Sequence, residues 1–296
     1  MPTHKFGGGW TEQKLRILHE YLTAYCQIFR VNPSARYFDT IYVDAFAGTG
    51  LIETQKPVVD RKELFAEFAE AEAVEFLKGS ASRALQHPFT RYIFIEKSAT
   101  RIAELGKLRA DSLRKNDIFI EKGDANACLA KFVNSTDWKK CRAVVFLDPY
   151  GMQVDWKTIE KLGETKAVDL WLLFPLGQAV MRLLRREGPP PVDWQQALDR
   201  VFGTHAWHSR FYVTTREAGL FGQEILSTHR IADWQAVEAF MLERLKTAFC
   251  AVAPNPGVLL NSQKVPLYLF CFASANPKGA PTALRIARHL LKGLQS

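Results

Sequence analysis

The chain has 296 residues, of which 47% are hydrophobic and 24% are charged, so it can bury a full core and is neither disordered nor fibrous. No apolar run approaches the roughly 20 residues that span a bilayer. Met1 to Trp10 lack the layout of a secretory signal, so we expect a cytoplasmic protein. The formal net charge of +8 favours a polyanionic partner such as a nucleic acid. A solvated surface explains equally well the two basic clusters, Arg182 with Arg185 and Arg186, and Lys139 with Lys140 and Arg142.

The cysteine and histidine spacing predicts no metal site. The five cysteines stand singly and are odd in number, which argues against a disulfide framework and against a zinc or iron–sulfur site. His205 and His208 are three residues apart, but no cysteine or carboxylate motif accompanies them, so we interpret them as surface or packing residues.

The first predicted element is a helix that starts at Thr11, the expected N-cap, and runs to about Phe29. Glu12 falls in its first turn, where a carboxylate meets the positive end of the helix dipole. Apolar residues recur at helical spacing along it, at Leu15, Leu18, Leu22 and Tyr25.

Five apolar segments follow that read as buried strands, each ending in a polar residue or a turn. They are Tyr37 to Ala45, Tyr92 to Ile95, Ile118 to Ile120, Ala143 to Leu147 and Val168 to Phe174. Helical patterns separate them, notably Thr100 to Leu113 and Trp156 to Leu162. This alternation predicts an α/β, doubly wound, mostly parallel sheet, whose ligand edge is the one where the strands end.

The remaining segments fit one domain over residues 1–296 with two insertions. A helical insertion is expected at about 51–78 and a second one at about 177–231, and both are placed to shape a substrate side. After them come a helix from Trp234 to Ala248 and a closing helix from Ala283 to Leu294. Two late strands, Val258 to Leu260 and Pro266 to Ala273, suit an antiparallel hairpin at the edge of the sheet.

The first motif that carries chemistry is Asp44-Ala45-Phe46-Ala47-Gly48-Thr49-Gly50. Gly48 and Gly50 let the backbone approach a ligand, and Asp44 can order the loop or reach a charged ligand group. The third glycine of the dinucleotide motif and the G-K-[ST] of the phosphate loop are absent, which favours an adenosine-type ligand without phosphates.

Two further polar positions follow the second and third strands. Glu96 can accept hydrogen bonds from ribose hydroxyls. In Gly123-Asp124-Ala125-Asn126, Asp124 or Asn126 can bind an exocyclic adenine amine, and a helix N-cap or Asx turn is an equally good reading of this segment.

The most specific motif is Asp148-Pro149-Tyr150-Gly151, at the end of the fourth strand. Asp148 and a backbone carbonyl can accept hydrogen bonds from an NH₂ group, Pro149 fixes the preceding residue in an extended conformation, and Tyr150 can stack on a flat ring. The set suits a planar amine, with a plain turn as the alternative.

These four motifs in this order resemble class I S-adenosylmethionine-dependent methyltransferases of exocyclic amines, whose signature is [D/N/S]-P-P-[Y/F]. Together with Phe6-Gly7-Gly8-Gly9-Trp10-Thr11-Glu12-Gln13-Lys14-Leu15 and Gly79-Ser80, they look like the three-Cys-motif partner family. The chain is more distantly similar to the large-subunit ribosomal RNA adenine-N6 methyltransferases.

The resemblance implies a Rossmann-like methyltransferase with S-adenosyl-L-methionine as cofactor and, for the three-Cys-motif family, a cysteine-motif partner protein. It implies cofactor contacts from Lys14, Phe46, Gly48, Ser80, Glu96 and Asp124, with Asp148 as the catalytic acceptor. The chain departs from the signature at Tyr150-Gly151, a form that looks like the tRNA guanine-N2 dimethyltransferases, so the target base stays open between adenine and guanine.

Three hypotheses follow. The first is methyl transfer to an exocyclic amine of a nucleobase, with RNA favoured over DNA. The second is a partner-dependent or non-catalytic nucleoside-binding module. The third is a methyltransferase of a small molecule or a protein.

Overall fold

The computed structural model describes residues 9–45, 79–218, 224–261 and 263–294. Within those ranges the strands are β1 (Asp39–Ala45), β2 (Arg91–Glu96), β3 (Ile118–Lys122), β4 (Cys141–Leu147), β5 (Val168–Phe174), β6 (Tyr212–Ala218), β7 (Glu224–Arg230), β8 (Ala251–Val252), β9 (Gly257–Leu260) and β10 (Pro266–Ser274). The helices are α1 (Gly9–Val31), α2 (Ala99–Asp111), α3 (Ala125–Ser135), α4 (Trp156–Glu164), α5 (Val192–Phe202), α6 (Trp207–Phe211), α7 (Trp234–Ala248) and α8 (Ala280–Leu291). A π-helical turn (Leu176–Val180) runs into a short helical turn (Met181–Leu183), and the turn Lys292–Leu294 follows α8.

The main sheet has the order β3-β2-β1-β4-β5-β10-β8, with β9 also paired to β10. Strands β1 to β5 are parallel to their neighbours, whereas β10 is antiparallel to β5, β8 and β9. The chain order reverses between β1 and β4, which is the point where open α/β sheets bind their ligands. This mostly parallel sheet with its antiparallel strands confirms the predicted fold class and fits the α/β class I methyltransferase fold.

The central strands are apolar on both faces because helices cover both sides of the sheet. In β4, Ala143, Val145 and Leu147 belong to one core cluster, while Val144 and Phe146 belong to the other. The first cluster lies under α3, α4, α5 and α7, and the second lies under α1 and α8. The period of two within each strand therefore fixes which residues face which layer.

The five predicted parallel strands are confirmed, and the predicted antiparallel pairing of the two late strands is confirmed as well. Strand β10 lies between β5 and β8. Among the described strands, β8 and β9 are therefore the ones at this outer edge of the sheet. Helix α1 begins at Gly9, two residues before the expected N-cap Thr11. The predicted helical insertion at about 51–78 lies outside the described residues.

The segment 177–231, which was predicted to be an insertion, contains an element that the sequence patterns did not predict. Strands β6 and β7 form a separate antiparallel ribbon, in register from Tyr212 opposite Arg230 to Ala218 opposite Glu224. Thr214, Thr215 and Arg216 are exposed, so the ribbon lacks the apolar alternation that marks a strand in a sequence.

No helix in the described part of the chain is long and apolar enough to cross a membrane.

Candidate functional site

The carboxyl edge of the sheet, where β1 to β5 end, carries an ion pair between residues distant in sequence. Lys14 on α1 donates from Nζ to Oδ2 of Asp148 at 2.6 Å, directly after β4. The side chain of Lys14 is 3% exposed and that of Asp148 is 14% exposed. A pair this shielded from water is weakly screened, so Lys14 fixes the orientation of the Asp148 carboxylate.

Asp44, in β1, lies beside this pair in a buried hydrogen-bonded cluster. Its Oδ2 accepts from Ser80 Oγ at 2.9 Å and from the Tyr42 hydroxyl at 3.4 Å. Asp44 and Ser80 are each 1% exposed. Tyr42 and Asp44 share a sheet face because they are two residues apart in one strand.

Burial is the main cause that raises the pKa of Asp44, to about 7. The hydrogen bond from Ser80 lowers the pKa, the nearby charge of Asp148 raises it, and Tyr42 and Lys14 lower it. Desolvation outweighs these partners because a fully buried carboxylate loses nearly all of its hydration. The site therefore holds two close carboxyl groups, of which Asp44 takes up a proton near neutral pH.

Glu96, at the end of β2, is 4% exposed and uses one carboxylate oxygen to shape its own loop. Oε1 accepts from the backbone amides of Lys97 and Ser98, both at 2.6 Å. Oε2 lies 3.7 Å from Nη1 of the buried Arg101, and among the described residues it has no hydrogen-bond donor. A buried carboxylate oxygen without a donor costs free energy unless a ligand supplies one.

Strand pairing places Glu96 and Asp148 on either side of β1. Ala45 is in register with Ile95 of β2 and with Leu147 of β4. Glu96 and Asp148 are the residues that come directly after these two. With strands spaced by about 4.8 Å, the two backbones are about 10 Å apart. The predicted glycine turn, with Phe46, Gly48 and Gly50, lies outside the described residues.

Asp124 and Asn126 take the local roles that compete with ligand binding. Asp124 is exposed and caps α3, accepting from the amide of Ala127 at 3.0 Å. Asn126 donates to the carbonyl of Gln153 at 2.8 Å and accepts from Asp155 N and Thr158 Oγ1. Asn126 thus anchors the loop that follows β4 and is not among the proposed cofactor contacts.

The loop after β4 presents its aromatic residue to solvent. Pro149 is buried, whereas Tyr150 is 40% exposed. Gly151 has φ +75°, in the left-handed region that favours glycine, so the glycine at this departure from the signature has a backbone reason. Arg200 of α5 also holds the loop, through Asp155 Oδ1 at 3.1 Å and the carbonyl of Met152.

The two basic clusters lie at opposite edges of the sheet. Arg182, Arg185 and Arg186 are exposed and follow β5, at the carboxyl edge. Lys139 and Lys140 are exposed and precede β4, at the other edge.

Sequence reasoning missed three contributors to this site: Tyr42, Arg101 and Arg200. Alternate residues of a strand face the same side, so the position of Asp44 was the available signal for Tyr42. A basic residue five positions after Glu96, at the start of the next helix, was the available signal for Arg101. Arg200 had no local signal because its partner loop is about 45 residues away.

No protein-family profile matches the chain, and no curated protein matches it significantly. Among solved structures, it is similar to an Escherichia coli protein assigned as a methyltransferase, at 15% identity and a TM-score of 0.31 over 72% of this chain and 86% of that one. The N-terminal domain of EvdMO1 with S-adenosylhomocysteine (SAH) bound matches at 9% identity and a TM-score of 0.36, over 86% and 79% of the two chains. The glycopeptide N-methyltransferase MtfA, complexed with SAH, matches at 9% identity and a TM-score of 0.32, over 86% and 89%.

These structural likenesses are too distant to carry an argument, so the fold assignment rests on the order and direction of the strands. They do not extend to the three-Cys-motif partner family or to the ribosomal RNA adenine methyltransferases. That narrower resemblance stays a prediction from the motifs.

Proposed function

We propose that this protein is an S-adenosylmethionine-dependent methyltransferase that modifies an exocyclic amine of a nucleobase in RNA. The observation that carries the proposal is the Asp148 carboxylate, held by the buried Lys14 at the carboxyl end of a central strand. That edge, at the reversal of strand order, is where α/β sheets bind ligands.

The described residues fit the nucleoside part of the cofactor. Glu96 Oε2 is buried and has no hydrogen-bond donor among the residues that the structure describes, and a ribose diol offers two hydroxyl donors. Asp44, Ser80 and Lys14 line the same edge, and Phe46, Gly48, Gly50 and Asp124 are proposed as further contacts from the motifs. Bound S-adenosylmethionine would supply an electrophilic methyl group.

The protein's task is then to orient the amine. Lys14 binds Asp148 through Oδ2, which leaves Oδ1 to accept a hydrogen bond from the substrate NH₂. This bond turns the nitrogen lone pair toward the donor, and Asp148 takes the proton that the amine must lose after transfer. Tyr150 supplies an exposed ring on which a flipped-out base can stack.

RNA is favoured by charge at the same edge. Arg182, Arg185 and Arg186 are exposed on the segment that follows β5, and the chain carries a net charge of +8. Arginines bind phosphates without reading sequence, so they would hold the backbone while Asp148 and Tyr150 bind the base.

The experiment combines calorimetry with a transfer assay on cellular RNA using a labelled methyl donor. We expect wild-type protein to bind S-adenosylmethionine, and Asp148→Ala to lower transfer at least about 100-fold while changing cofactor affinity by less than about threefold. Asp148→Asn, which keeps an acceptor oxygen but cannot take the proton, is expected to fall between them.

Absence of cofactor binding by the wild type would refute the proposal. Label that survives ribonuclease treatment would point instead to a protein or small-molecule substrate. Mass spectrometry of the nucleosides distinguishes an adenine from a guanine amine.

The second candidate is a partner-dependent or non-catalytic nucleoside-binding module that works with a cysteine-motif protein. The departure at Tyr150-Gly151 favours it. It predicts cofactor binding by the isolated protein without any labelled RNA product, and product only after the partner is added.

A further inference from the structure

A cavity of about 550 Å³ lies at the amino edge of the sheet, where the parallel strands begin. It opens between the second half of α1, the turn after it and the start of α8. Ala167, directly before β5, and Arg142, near the start of β4, mark its position. We call it the amino-edge cavity. Its volume lies within the roughly 300–1,000 Å³ of small-molecule sites, and it is separate from the candidate methyltransferase site.

The polar floor of the amino-edge cavity is Asp169. This residue is 8% exposed inside the otherwise apolar β5, and its Oδ2 accepts from the Tyr21 hydroxyl at 2.7 Å. Its Oδ1 accepts from Ser274 Oγ at 2.5 Å. Each oxygen of a carboxylate can accept two hydrogen bonds, so Asp169 can receive further donors from a ligand in the cavity.

Tyr25 supplies a second polar group to the cavity, a hydroxyl whose hydrogen bonds are not satisfied among the described residues. Its side chain is 5% exposed and lines the cavity, and its hydroxyl has no hydrogen-bond partner among the described residues. A buried hydroxyl without a partner costs free energy, and such groups in native structures call for an explanation. Burial raises the pKa of Tyr25 well above its ordinary value, so the hydroxyl stays a neutral donor and acceptor.

The walls suit a flat ring. Tyr25 and Phe29 have ring centroids 4.6 Å apart, and the Arg142 guanidinium lies 3.7 Å from the centre of the Phe38 ring. All four residues line the cavity, together with the aliphatic Ile286. A mostly apolar and aromatic lining with a few polar groups suits a flat ring that carries its own polar groups.

We propose that the amino-edge cavity binds a planar nitrogen heteroaromatic molecule that donates an amino or ring N–H to Asp169 and exchanges a hydrogen bond with the Tyr25 hydroxyl. This site does not depend on the proposed methyltransferase activity.

The test is an NMR titration of the full-length protein with 2-aminobenzimidazole, a flat probe with several N–H donors. We expect a dissociation constant below about 1 mM, the range for a fragment of this size. The donor-free analogue 1-methylbenzimidazole should bind at least tenfold more weakly. Tyr25→Phe should weaken the probe about fivefold, and Asp169→Asn about tenfold.

A variant that fills the cavity tests the proposal without changing the polar positions, where a substitution can impair folding. Ile286→Trp, on the partly buried wall of α8, should abolish binding. Leu290→Trp, one turn further along α8 and not part of the lining, should bind like the wild type. Glu96→Ala should also leave the affinity unchanged, because it lies at the other edge of the sheet.

The proposal is overturned if the wild type does not bind the probe. It is equally overturned if Ile286→Trp binds as well as the wild type, or if the donor-free analogue binds as tightly as 2-aminobenzimidazole. Thermal unfolding of each variant establishes that it is folded.

Discussion

Asp44 at the carboxyl edge and Asp169 at the amino edge are two versions of one arrangement. Each is a buried aspartate in a parallel strand that accepts from one tyrosine and one serine: Tyr42 and Ser80 for Asp44, Tyr21 and Ser274 for Asp169. Desolvation is the leading cause of a raised pKa in both. The shared arrangement shows that hydroxyl donors satisfy a buried carboxyl without removing the cost of its charge.

The difference between the two edges is the surrounding charge. Asp44 lies close to the Lys14–Asp148 pair, in which Asp148 raises the pKa of Asp44 and Lys14 lowers it. For Asp169, burial raises the pKa and the hydrogen bonds from the two hydroxyls lower it. A cluster with three charged groups suits proton and methyl-group chemistry, and an isolated carboxyl suits binding.

The largest expected effect is the pH dependence of stability caused by Asp44. The pKa of Asp44 is about 7 in the folded protein, and a free aspartate titrates near 4. Between these values the folded state binds more protons than the unfolded state. The free energy of unfolding of the wild type relative to Asp44→Asn should therefore fall as the pH rises through this window, by up to about 4 kcal/mol.

Urea unfolding in steps from pH 4 to pH 8 measures this difference. A difference that stays flat or grows with pH would contradict the raised pKa. Asp169→Asn should show the same sign, and Lys14→Met should alter the profile attributed to Asp44 but not the one attributed to Asp169.

The next effect is the loss of the buried cation. Lys14→Met leaves the Asp148 carboxylate without its counter-charge, and we expect a destabilisation of about 3 kcal/mol, as for other buried pairs that lose one partner. The matched control is Lys107→Met, whose pair with Glu104 at 2.9 Å is on the surface, with Lys107 72% exposed. That change should leave the stability nearly unchanged, because water screens an exposed pair. Similar losses in both variants would mean that the Lys14–Asp148 pair is effectively solvated.

Asn126 tests whether the loop after β4 is held at the carboxyl edge. Asn126→Ala removes three hydrogen bonds and leaves partly buried partners unsatisfied, so we expect a loss of about 2 kcal/mol and reduced methyl transfer. Asn134→Ala, at an exposed position near the end of α3, should change neither quantity. Both variants should bind the amino-edge probe like the wild type. A change in probe affinity for Asn126→Ala would show that the two edges are coupled.

The smallest effect concerns the backbone at Gly151. Gly151→Ala places a side chain at φ +75° and should destabilise the protein by about 1 kcal/mol, although the added methyl group meets open space. Gly106→Ala within α2 also meets open space but has helical geometry, so it should stabilise by about 0.5–1 kcal/mol. Equal signs for the two variants in thermal unfolding would argue against the left-handed conformation.

The parallel sheet could be predicted because its signals are local. Segments such as Val168 to Phe174 are short, apolar and bounded by turns, and the polar residues that follow them mark one edge. The ribbon of β6 and β7 could not be predicted from the same pattern. Its strands pair with each other outside the main sheet and expose their polar residues, so no apolar face was left to detect.

The site was predicted in part for the same reason. Asp44, Glu96 and Asp148 follow from strand ends. The resemblance implied Lys14 as a cofactor contact, but its contact with Asp148 joins residues 134 positions apart and had no signal in the sequence. The role of Asn126 depends on a loop that returns about 27 residues later. Asp169, a lone acid within an apolar strand, was the one local sign of the amino-edge cavity, and it carries no information about the helices that enclose it.

Helix α1 contributes side chains to both edges of the sheet. Lys14 and Tyr25 are eleven residues apart on it, which corresponds to about 16 Å of helix. Removing the whole of α1 would therefore take the counter-ion from Asp148 and the Tyr21 hydroxyl from Asp169 together. Single substitutions are the cleaner way to study the two edges separately.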